Sequence, residues 1–165
     1  MGIIAVWCIT QPCARGERSL LPSSAKPGSA GDWLARAQSN LIRARNLPPE
    51  PGFFLHDACF DAQQAAEKAV KAVLTHLEIG FAYTHNLTEL LSLILNRGYD
   101  VPEVVRQAGR LTEYAVATRY PPSIEDISEE EYQAALTIAS HVYAWAVGII
   151  EEGGAQQDQY SVQKP

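Results

Sequence analysis

Apolar residues recur every three or four positions through most of this chain, the rhythm of amphipathic helices, and no segment shows the two-residue alternation of a strand. The clearest stretch is Asp57 to Leu74. Polar positions Asp61, Gln64, Lys68, Lys71 and Thr75 recur there, and Ala58, Ala62, Ala65, Ala69 and Val73 form a narrow apolar seam between them. Small side chains on a seam let a second helix come close, so this helix is expected at the centre of the fold. It is predicted to run from Phe53 to Glu78 and to stop at Gly80.

The flanking segments follow the same grammar. Asp32 is read as the N-cap of a first helix, Trp33 to Asn46, with Trp33, Ala37 and Leu41 on one face and a proline-rich stop at Pro48–Gly52. Thr84-His85-Asn86 offers caps for a third helix, Leu87 to Asn96, closed by Arg97-Gly98. Pro102 suits the first turn of a fourth, which is expected to continue to Thr118 before Pro121-Pro122. Ser128 with Glu131 forms a capping box for a fifth, expected to reach Glu151, with Ala135, Ile138, Val142, Trp145 and Ile149 as its stripe and Gly153-Gly154 as its end. The fold class predicted is all-α, an antiparallel up-and-down bundle of four main helices plus a short one. Residues 1–30 lack periodicity and are rich in turn formers, and are expected to be a flexible leader. The bundle is placed at 31–152, and 153–165 is expected to be a disordered tail.

Composition narrows the partners. The 165 residues carry a net charge of −6, which argues against general phosphate-backbone binding. Cys8, Cys13 and Cys59 have no metal-ligand spacing, and Cys59 falls on the central helix as a small buried hydrophobe. An odd cysteine count suits a reducing compartment, so the expected location is cytoplasmic. Met1–Ile9 is apolar but far short of a membrane span, and no other run is expected to reach one. An upstream extension, a misassigned start or a cleaved leader are the alternatives for this end.

Candidate chemistry is sparse. A di-iron bundle needs an acidic residue three before a histidine, and Phe53, Val73, Ala82 and Ile138 stand there before His56, His76, His85 and His141. There is no phosphate loop, no nucleophile elbow and no zinc helix, and neither metal nor cofactor is expected. His85 is either a cap or loop hydrogen bond, or a group in a cleft that binds phosphate or moves protons. Arg119 either satisfies the last carbonyls of the fourth helix or recognises an anion through its planar fork. Tyr120 is a packing or a binding aromatic. His141 is read as a boundary core histidine. Lys68 and Lys71 are read as exposed charge on the solvated face of the central helix; the alternative is that Glu67 or Lys71 meets a partner chain.

Three motifs in order, Gln-Ala-Ala-Glu-Lys-Ala-Val-Lys-Ala (64–72), Thr-His-Asn-Leu (84–87) and Thr-Arg-Tyr-Pro (118–121), resemble the HEPN family across Asp32 to Glu151. The resemblance implies a helical bundle that commonly dimerises and that is often encoded beside a minimal nucleotidyltransferase, with which it forms a toxin–antitoxin-like pair. Many members are metal-independent RNases whose signature is an arginine and a histidine with four to six residues between them. Here Ile124, Glu125 and Asp126 occupy those positions after Arg119, and no other arginine has a histidine at that spacing. Members with Arg-Tyr-Pro at this junction are usually read as binding a nucleotide or a partner. The resemblance thus implies a homodimeric binding module with no catalytic residue assigned, and with Arg119, Tyr120 and His85 as ligand contacts. The alternatives are an RNase with a divergent site acting on RNA, or a purely structural dimer.

Overall fold

The computed structural model of the chain describes residues 25–48, 52–117 and 127–161. All its regular structure is helical: α1 (Ala30–Arg45), α2 (Leu55–His76), α3 (Leu87–Leu95), α4 (Glu103–Arg106), α5 (Thr112–Ala117) and α6 (Glu129–Ser161), with a 3-10 turn at Gln107–Leu111. The all-α class is as expected.

The central position of α2 follows from its small residues. Ala58, Ala62, Ala65, Ala66, Ala69 and Ala72 are buried together with Val70, Val73 and Leu74. They let α2 pack heavily against both α1 and α6, while α3, α5 and the 3-10 turn close over the rest of it. Tyr132 of α6 is buried and donates through its hydroxyl to the Ala44 carbonyl of α1 at 2.8 Å, which ties the outer pair together.

Several boundaries differ from those expected. The N-cap of α1 is Ser29, whose Oγ accepts from the Asp32 N–H at 3.2 Å. Asp32 falls inside the first turn, where its carboxylate accepts from the Gly28 N–H and pairs with Arg36. The end of α2 is set by Glu78 and not by Gly80. Glu78 takes a left-handed φ of 54°, and the Ile79 N–H reaches back to the Leu74 carbonyl at 2.8 Å. This six-to-one closure turns Ile79 into the core, and its burial there accompanies a conformation a glycine would have adopted freely.

The expected fourth helix, Pro102 to Thr118, is broken into α4, the 3-10 turn and α5. Val101, Val105, Ala108 and Leu111 are all buried. The tighter three-residue turn keeps the last two facing inward where an α-helix would drift away. Gly109 lies in this turn, and a Cβ there would collide with Thr88 Oγ1 on α3. The missing side chain lets the segment lie directly on α3.

The expected capping box of α6 is formed: Ser128 N–H donates to Glu131 Oε2, and the Glu131 N–H donates to Ser128 Oγ. The helix does not stop at Gly153-Gly154 but continues to Ser161, so the stretch expected to be a disordered tail is helical up to that residue. A glycine inside a helix costs only about 1 kcal/mol relative to alanine, too little to force an end by itself. Of the α6 stripe, Ala135, Ile138 and Val142 are buried, Trp145 and Ile149 only partly, and His141 is exposed where a core boundary was expected. The segment Glu129–Glu151 also has the length and apolarity of a membrane span, which the sequence reading did not anticipate. Core helices pass the same test; α6 seats Tyr132, Ala135, Ala139, Val142 and Ala146 in the bundle, and 28% of its most apolar stretch is buried there.

Candidate functional site

Gln63, Glu67 and Lys71 stand four residues apart along α2, so they line up on one side of the helix. All three are buried, with the side chains of Glu67 and Lys71 only 5% and 8% exposed. Sequence reasoning placed Lys71 on a solvated face. The structure puts it inside because Trp33 of α1 and Phe81 of the α2–α3 loop flank its ammonium, with ring centroids 5.7 and 5.9 Å from Nζ. Cation–π attraction replaces part of the lost hydration.

Glu67 is the hub. Its Oε1 accepts from Lys71 Nζ at 2.7 Å and its Oε2 from Gln63 Nε2 at 2.9 Å. His85 Nδ1 meets the same carboxylate, 3.1 Å from Oε2 and 3.2 Å from Oε1. Gln64 completes the row by donating to Gln63 Oε1. Burial pushes the Glu67 carboxyl up, but the hydrogen bonds from Lys71, Gln63 and His85, together with the Lys71 charge, outweigh it and hold the group below its ordinary 4.5.

That direction fixes a pH dependence. A carboxyl whose folded value lies below its unfolded value adds stability above about pH 4.5 and loses it as pH falls through the folded value. Urea midpoints are expected to fall across the acid range below about pH 4.5. Glu67→Gln is expected to flatten that part of the profile; a profile unchanged by the substitution would remove Glu67 as its source.

His85 reaches this hub because its neighbours take the capping duties. Asn86 is the N-cap of α3, its Oδ1 accepting from the Thr88 and Glu89 N–H groups. Thr84 Oγ1 accepts from the Asn86 N–H and donates to Glu89. His85 therefore does not cap. Its ring lies on Glu67 with the side chain 57% exposed, a half-open imidazole backed by a buried ion pair. The Leu87 N–H donates to Thr112 Oγ1 at 3.3 Å, so this end of α3 is fastened to the start of α5.

A second polar group joins α1 to α2. Asp61 accepts from Asn40 Nδ2 and from the Arg43 guanidinium, at 2.7 Å from Nη2, while Lys68 Nζ donates to Asn40 Oδ1 at 2.6 Å. Burial, and after it the charges of Arg43 and Arg36, lower the Lys68 ammonium against the pull of Glu67 and Asp61. Each member of this clamp has a partner, and its role is helix packing.

A cleft of about 250 Å³ lies between Arg110, Glu113 and Tyr114 on one side and Glu131, Ala134 and Ile138 of α6 on the other. Glu131 is committed to its cap. His56 is buried edge-on to Tyr114, with no partner for Nε2. Cys59 is fully buried, and burial raises its thiol to about 11, so it is no nucleophile. Among the described residues no cluster of histidine, cysteine and carboxylate side chains is able to hold a metal ion.

Of the three ligand contacts expected from the sequence, the structure places His85. Arg119 and Tyr120 lie outside the described residues. Sequence reasoning missed Glu67 as the partner of His85, and Gln63 as a second donor to that carboxylate. The signal was the line Gln63–Glu67–Lys71, a polar row with alanine and valine around it.

Comparison with known proteins agrees with this architecture. The family model described as HEPN domain matches residues 30–151. A crystal structure of a protein from Thermus thermophilus is similar at 34% identity with a TM-score of 0.58, over 76% of this chain and 98% of that one. A crystal structure of an archaeal HEPN homologue is similar at 27% identity and a TM-score of 0.58, over 74% of this chain and 98% of that one. No curated protein matches the chain.

Proposed function

The chain belongs to the HEPN domain family, and we propose that it acts there as a nucleotide-binding or partner-binding module, the HEPN half of a toxin–antitoxin-like pair with a minimal nucleotidyltransferase. The observation that carries this reading is the half-exposed His85 ring held on the buried Glu67–Lys71 pair. Polar side chains organised to this degree beneath a surface imidazole suit recognition of a ligand. Arg119 supplies a planar fork for phosphate and Tyr120 an aromatic face. Ile124, Glu125 and Asp126 after Arg119 leave the usual RNase arginine–histidine pair incomplete, and their two carboxylates disfavour an RNA backbone.

The test is thermal shift against nucleotides and short RNA, with Arg119→Ala alongside. Ligand at one hundred times its dissociation constant adds about 2.7 kcal/mol of stability. A rise in melting temperature of several degrees is expected with nucleotide, abolished in Arg119→Ala and reduced in His85→Ala. No shift with any nucleotide or with a nucleotidyltransferase partner overturns the proposal. Metal-independent RNA cleavage lost in Arg119→Ala would instead establish the nuclease reading, in which His85 supplies the missing histidine.

The module is proposed to work as a cytoplasmic homodimer joined through α6. Leu136, Tyr143, Trp145, Val147, Ile149 and Ile150 of that helix are only partly covered by their own bundle. Light scattering at micromolar concentration is expected to give twice the 18.1 kDa chain mass; the monomer mass overturns it.

A further inference from the structure

An ionised carboxylate only accepts hydrogen bonds, so His85 Nδ1, facing both oxygens of Glu67, must carry the proton and donate it. The carboxylate has little freedom to turn away. Lys71 holds Oε1 and Gln63 holds Oε2, and both of these donors are buried. In the neutral ring a proton on Nδ1 leaves Nε2, across the ring from Glu67, with a bare lone pair.

We infer that Glu67 is a positioning residue that fixes His85 in its Nδ1–H form and presents Nε2 as a proton acceptor, and that the group this nitrogen takes is a hydroxyl or N–H of the ligand. On a nucleotide that means a ribose hydroxyl or the amine of the base. A phosphate oxygen needs a donor and falls to a cation. The ligand assignment rests on the nucleotide-binding reading; the tautomer belongs to the free protein and does not. Lys71 has a matching role. It keeps the Glu67 charge compensated inside the core, so the carboxylate persists there as an acceptor.

The test is nitrogen–proton correlation spectroscopy of histidine-labelled protein at about pH 8, above the ordinary imidazole range, with His85→Gln assigning the signal. His85 is expected to be protonated at Nδ1, against the Nε2–H form that free histidine prefers. Glu67→Gln is expected to move it toward Nε2–H. Adenosine at millimolar concentration is expected to shift the His85 Nε2 resonance, and inorganic phosphate to leave it in place. An Nε2–H ring in the unsubstituted protein overturns the positioning role, whether or not Glu67→Gln folds. A resonance that moves with phosphate, or with neither probe, overturns the ligand class. Nucleotide-dependent stabilisation that persists through Arg119 in those cases leaves the binding reading intact, so the two failures are distinguishable.

Discussion

Replacing Glu67 by alanine is expected to lower the unfolding free energy by about 3–5 kcal/mol, the largest effect of any single polar substitution in this bundle. The loss does not measure how much the ion pair stabilises. It measures what remains: the Lys71 ammonium, 8% exposed, with no carboxylate within reach and two aromatic rings beside it. Gln63 Nε2 and His85 Nδ1 lose an acceptor in the same step. A domain of this size is stable by only about 5–15 kcal/mol, so a third or more of the total is at stake. The double variant Glu67→Leu/Lys71→Met is expected to recover most of the loss, because an apolar pair of similar volume is often neutral in place of a buried ion pair. Denaturant unfolding of Glu67→Leu, of Lys71→Met and of the double variant gives the coupling energy. A loss below about 1 kcal/mol for Glu67→Ala would mean that water reaches the pair.

Ala65→Leu is expected to cost about 3 kcal/mol, the upper end of the over-packing range. Ala65 has no exposed surface, and it lies on the helix that both α1 and α6 contact most heavily. A larger side chain there must push a neighbouring helix aside or leave its rotamer well, and either response disturbs a core packed as densely as an organic crystal. The same reasoning covers Ala62 and Ala69, also fully buried. The check is the denaturant midpoint of each variant with an unchanged slope. A loss well under 1 kcal/mol at Ala65 would show that the seam is loose.

The bundle was legible because its cause is local. Alanine seams, caps and prolines act within a few residues, and the helix over 55–76, the start of α3 at Leu87 and the Ser128–Glu131 box were all readable that way. The errors came from contacts that join distant residues. Glu78 accompanies an Ile79 buried in the core, and Gly109 matters because of Thr88 on another helix. The site was half legible for the same reason. His85 stood out as the histidine of a capped junction, while Glu67 and Lys71 looked like ordinary helix-surface charge. Their burial depends on Trp33 and Phe81, which arrive from α1 and from a loop. Local periodicity gives no sign of either ring.

Cys59 lies on the buried side of α2, and no solvent touches it in the folded chain. An alkylating reagent can meet it only during the moments when the helices part. Its rate of modification, followed by mass spectrometry on the peptide that contains it, is therefore a clock for spontaneous opening of the core. When reclosing outpaces the reagent, the clock reads the population of open molecules; when the reagent is faster, it reads how often the door swings.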